Sequence, residues 1–134
     1  MIGIVIVAHG GLAREYLAAV EHVVGAQTGI RAITIESDHD RSAKQAEIIR
    51  AADEVDDGTG VVVVTDMFGS SPSNLSLPAC AGRNRRILYG ANLPMLVKLA
   101  KSRRLPVADA AKAAMEAGRK YINSMEIGGG DQES

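Results

Sequence analysis

The histidine at position 9 stands where an apolar run stops and a glycine pair begins, in the stretch VIVAHGG over residues 5–11. An imidazole becomes a nucleophile when a partner holds one ring nitrogen and leaves the other bare. Asp66 is the matching partner in type and position, because it follows GVVVVT, residues 60–65, the clearest buried strand in the chain. If the strands ending at His9 and Asp66 are neighbours, the carboxylate can fix the imidazole tautomer. Gly10 and Gly11 let the chain turn tightly into a helix. The unpaired N–H groups and positive dipole at the start of that helix suit a phosphoryl group carried on the free nitrogen. On the residues alone, a histidine that merely closes the strand end through a local hydrogen bond remains the alternative.

A second constellation follows Asp66 in the stretch GSSPSN, Gly69–Asn74. Ser71 and Ser73 could donate to phosphoryl oxygens, and Gly69 gives the turn its freedom. One serine could instead cap the next helix, with Pro72 in its first turn. The stretch is no P-loop, since GxxxxGK[ST] is absent, and no GxGxxG follows the first strand. A third grouping, Asp38–His39–Asp40, puts oxygen and nitrogen donors in a row, with His22 elsewhere. Adjacent residues seldom converge on one ion, so a polar loop with a helix-capping Asp or Ser is the expected reading. His22 falls on the outer face of the first helix. No metal and no cofactor is expected.

The elements that must hold these residues alternate in type. Residues 2–8, 31–36, 60–65 and 85–90 read as strands, rich in β-branched residues. Between and after them, helical spacing covers 12–24, 42–54, a short piece from about 72 or 73 to 81 with Pro78 as a kink or stop, 92–103, and 106–118. Strands alternating with crossover helices predict a doubly wound α/β fold with a mainly parallel sheet in the order 2-1-3-4. The crevice at the carboxyl ends of its strands is where such folds place their sites, and His9 and Asp66 flank it. KYINSMEI, residues 120–127, fits either a helical extension or a last strand. GGGDQES, residues 128–134, reads as a loose tail. One domain over 1–127 is expected.

Composition narrows the class. The chain has 134 residues, 46% of them apolar, with one Phe, three Tyr and no Trp. Aliphatic layers of that kind suit an α/β sheet. The formal net charge of −1 gives no pull towards nucleic acid. The clusters Arg83–Arg86 and Lys101–Arg104 read as solvated helix ends and loops. The single Cys80 allows no internal disulfide and reads as a buried, inert thiol. No leader and no run of roughly 20 apolar residues is seen, so a cytoplasmic protein without membrane insertion is expected.

VIVAHGGLA, TDMFGSSPSN and YGANLPMLVKLA, in that order and spacing, resemble the EIIA domain of the mannose family of the bacterial phosphoenolpyruvate-dependent sugar phosphotransferase system. The likeness runs over about residues 1–120. It implies a homodimer that exchanges a C-terminal antiparallel strand, which tips residues 120–127 towards a strand. It implies that His9 accepts a phosphoryl group from phospho-HPr through Nε2 and passes it to a IIB protein. It further implies that Asp66 orients His9 through Nδ1, that Ser71 contacts the phosphoryl group, and that Asn74 completes the turn. Ser70 stands where the family turn has its second glycine. The IIB acceptor is expected to be a separate chain, in sugar uptake or in regulation.

Three other readings compete. A receiver domain would use Asp66 as the phosphorylated residue, but it needs an acidic pair after the first strand, where Ala8 and His9 stand. The phosphotransferase subunit of a dihydroxyacetone kinase system shares the early histidine but matches GSSPSN poorly. A histidine phosphatase would want Arg in the place of Ala8.

Overall fold

The computed structural model describes residues 1–67 and 69–128. Its strands are β1 (Gly3–His9), β2 (Ile30–Ile35), β3 (Val61–Thr65) and β4 (Arg85–Leu88), and its helices α1 (Leu12–Val24), α2 (Arg41–Val55), α3 (Ser71–Cys80), α4 (Leu93–Lys101) and α5 (Val107–Lys120). All pairings are parallel and the order is β2-β1-β3-β4. The expected topology is therefore the observed one. Its logic lies in β1, where alternate side chains serve opposite layers. Ile4, Ile6 and Ala8 pack with α1, α4 and α5, while Val5 and Val7 pack with α2 and α3. A strand buried on both faces needs an unbroken apolar run, which is why 3–8 and 61–65 read as they do.

The details differ from expectation where side chains decide. β1 runs on through His9, because Gly10 N–H donates to the Ile35 carbonyl and keeps the ladder going. β4 stops at Leu88, short of the expected Gly90. Helix α2 starts slightly earlier than expected, at Arg41, and of the Asp and Ser residues open as caps it is Asp40 that serves, accepting from Ala43 N–H at 3.0 Å. Helix α3 continues through Pro78 to Cys80. Asn92 caps α4, with its side chain accepting from Met95 N–H, and Pro94 lies in the first turn as expected.

The basic clusters correct a reading. Arg85 is not solvated: its side chain is 2% exposed and bonds Asp53, Asp56 and the Ala79 carbonyl. Arg103 is 4% exposed and donates to the carbonyls of Ile2, Thr28 and Gly29. Each cation stays buried because acceptors replace its water. Burial pushes the Cys80 thiol up to about 11, in keeping with an inert residue.

Residues 121–127 are neither helix nor strand in the single chain, so a helical extension stops at Lys120. Of the tail expected at 128–134, all but Gly128 lies outside the described residues. No helix among the described residues is long and apolar enough to cross a membrane.

Candidate functional site

The strands carrying His9 and Asp66 are neighbours. Val7 is level with Thr65 across the β1–β3 ladder, so both chains leave the sheet at the same edge. The two side chains meet there: His9 Nδ1 lies 2.8 Å from Asp66 Oδ2. That oxygen also accepts from the His9 backbone N–H at 3.1 Å. Two contacts from one residue fix the imidazole and its backbone against the same carboxylate.

Burial pushes the Asp66 carboxyl up, but the hydrogen bonds from His9 and the attraction of its ring outweigh this and hold it below the ordinary carboxylate range. An ionised carboxylate only accepts, so Nδ1 donates the proton in this contact and Nε2 takes no part in it. Half of the His9 side chain is exposed, whereas Asp66 is 10% exposed. Asp66 is thus sheltered while the His9 ring faces outwards. The other carboxylate oxygen, Asp66 Oδ1, is buried without a hydrogen-bond partner among the described residues.

Gly10 takes φ +56° between His9 and Gly11, a left-handed turn that a side chain would strain, and Gly11 caps α1. No side chain caps that helix, so its first N–H groups are open to an anion. On the far side, Gly69 takes φ +76° and Ser70 caps α3. Ser70 Oγ donates to the Met67 carbonyl, and Ser73 Oγ to the Ser70 carbonyl. The Asn74 amide reaches the Gly69 carbonyl at 3.4 Å. Ser73 is therefore engaged inside the turn. Ser71 opens α3, and its hydroxyl has no partner among the described residues. Ser70, the departure from the family turn, is accommodated as the cap.

The third grouping falls away from this site. Asp40 is the α2 cap, His39 Nδ1 contacts the Glu36 carbonyl, and His22 is exposed on α1. Among the described residues no group of His, Cys, Asp and Glu could hold a metal ion. Sequence reasoning missed Tyr16 and the loop at Gly90–Ala91. Tyr16 lies on α1, and its hydroxyl donates to the Ala91 carbonyl at 2.9 Å. The only signal was YGAN within a motif valued for its likeness rather than for its chemistry.

The chain matches the family model EIIA-man, described as the PTS system fructose IIA component, over residues 3–116. It belongs to the mannose-type EIIA family of the phosphotransferase system. A phosphotransferase-system role in phosphoryl transfer follows from membership. Among solved structures, this EIIA protein is similar to the phosphotransferase component EIIA of Streptococcus agalactiae, at 26% identity and TM-score 0.82, over 92% of this chain and 97% of that one. The PTS IIA protein associated with the fucose utilization operon of Streptococcus pneumoniae is 26% identical, with TM-score 0.78, over 90% of this chain and 91% of that one. The mannose/sorbose specific IIA subunit of Enterococcus faecalis, 21% identical, shares the fold with TM-score 0.84 over 97% and 98% of the two chains. No curated protein matches the chain.

Proposed function

We propose that this EIIA protein is a phosphoryl carrier whose acceptor is His9 Nε2, loaded by phospho-HPr and discharged to a separate IIB protein in the cytoplasm. The observation that carries this reading is the 2.8 Å contact between His9 Nδ1 and Asp66. In the transfer, the Nε2 lone pair attacks phosphorus and the N–P bond of the donor histidine breaks, its electrons returning to the donor ring. The His9 ring keeps its Nδ1 proton and gains positive character, which the Asp66 carboxylate stabilises. The open N-terminus of α1 favours the phosphoryl charge, with Ser71 as a further donor. Leu12 and Met67, both exposed, flank the two turns in sequence and give partner proteins apolar contact next to the nucleophile.

Incubation with phosphoenolpyruvate, enzyme I and HPr should put an acid-labile, base-stable phosphoryl group on His9. His9→Ala should remove the label while the circular dichroism spectrum is kept. Undiminished labelling of that variant would end the assignment.

The same reading extends to a homodimer in which residues 120–127 add an antiparallel strand to the partner's sheet. β4 is an edge strand, and Tyr121, Ile122, Met125 and Ile127 are all more than half exposed in the single chain. An open edge beside loose apolar residues favours pairing. Truncation before Lys120 should give monomers or insoluble protein. A well-folded full-length monomer at micromolar concentration in light scattering would refute the exchange and leave the His9 chemistry standing.

A further inference from the structure

Tyr16 stands apart from the other polar groups near the crevice. It sits one helical turn into α1, its ring packs against the core layer under that helix, and its hydroxyl is spent on a backbone carbonyl in another element. That carbonyl belongs to Ala91, in the loop joining β4 to α4. The Ala91 N–H in turn donates to the Thr65 carbonyl at 3.0 Å, and Thr65 immediately precedes Asp66. The buried Thr65 hydroxyl reaches the Leu88 carbonyl at 3.4 Å and ties β3 to the end of β4. A path of hydrogen bonds thus runs from α1, through the two backbone groups of Ala91, to the residue directly before Asp66.

We propose that Tyr16 is a positioning residue for His9: its bond to Ala91 holds the β4–α4 loop against the end of β3 and so fixes the Asp66 carboxylate on which the His9 tautomer depends. Asp66 needs such help. One of its buried oxygens has no hydrogen-bond partner among the described residues, so the contacts that hold its direction there lie on the His9 side and in the backbone before it. Tyr16 is also suited to stay a donor. Burial, and then the nearby charge of Asp66, push its phenol up from the ordinary value, so the hydroxyl keeps its proton.

The significance of this link for catalysis rests on the phosphoryl-carrier reading, but the link itself can be tested without a donor. Tyr16→Phe removes the hydroxyl and keeps the ring. Nitrogen-15 NMR of the imidazoles in the unphosphorylated dimer or monomer should show a smaller share of the Nδ1–H tautomer at His9. In the reconstituted chain from phosphoenolpyruvate, labelling of the variant should slow by about tenfold, as for other groups that act through a primary ligand, with the HPr concentration for half-maximal rate unchanged. Tyr16→Leu, which keeps apolar packing without the ring, should show the same two changes and guards against an effect peculiar to Phe. A wild-type tautomer and wild-type labelling in both variants, with only a lower melting temperature, would overturn the proposal and leave Tyr16 a packing residue. If wild-type protein takes no label on His9, the carrier reading fails, and the tautomer measurement still decides the role of Tyr16.

Discussion

The two ends of the sheet treat buried charge in opposite ways. At the amino end, Arg85 is enclosed by two carboxylates and a carbonyl, and Arg103 by a ring of backbone carbonyls. Both cations have acceptors, and neither side chain is offered to solvent. At the carboxyl end, Asp66 is buried with one oxygen filled twice by His9 and the other empty among the described residues, while His9 is half exposed. The amino end uses charge to close the fold. The carboxyl end leaves one carboxylate oxygen without a partner among the described residues and an imidazole open. Unsatisfied buried groups are costly, so native structures keep them where chemistry needs them. This contrast, rather than the presence of ionised residues, separates the site from its surroundings.

The contrast breaks if substitutions at the two ends do the same thing. The largest effect is expected at the carboxyl end. Asp66→Asn should slow phosphoryl transfer in both directions by about 10²–10⁴-fold, while urea denaturation shows a stability near that of wild type. Rates within about twofold of wild type would reduce Asp66 to a turn residue. At the amino end the pattern should invert. Arg85→Met removes a donor from three acceptors and should cost about 2–4 kcal/mol in the same denaturation experiment. Its transfer rate at a temperature where it is folded should match wild type. A large loss of rate in this variant would show that the two ends are coupled.

The smallest effect sharpens the comparison through pH. Asp53, Asp56 and Asp66 all have carboxyls held below the ordinary range. At Asp53 the bond from Arg85 is the leading cause, whereas at Asp56 and Asp66 hydrogen bonds outweigh a burial cost. A depressed carboxyl stabilises the folded state above the unfolded value of about 3.9, and this stability is lost as pH falls through the folded value. Stability should therefore drop on acidification below about pH 4, with a slope no steeper than about 1.4 kcal/mol per pH unit for each group. Asp66→Asn should remove one share of that slope and Arg85→Met another. An acid limb unchanged in both variants would mean that neither end holds its carboxylates as the geometry implies.

Much of this was legible in the residues. The runs GIVIVA and VVVVT fill both faces of a sheet, and only a central parallel strand demands that. Their ends then place His9 and Asp66 at one edge, and the glycine at 10 marks the turn. The cap of α2 stayed open between an Asp and a Ser, because both are good caps and the sequence does not rank them; the structure uses Asp40.

What the sequence determined by itself was local: the period of each element, the strand order that a run of crossovers favours, and the residue types at the ends of β1 and β3. What only the tertiary structure decided was every partnership across distance. His9 and Asp66 are 57 positions apart, and Tyr16 and Ala91 are 75 apart. The burial of Arg85 and Arg103 likewise depends on carbonyls and carboxylates from other elements. Periodicity is written between near neighbours, three or four positions apart in a helix and two apart in a strand. A hydrogen bond between elements depends instead on register, twist and the depth of a loop, and these come from how all the layers pack together.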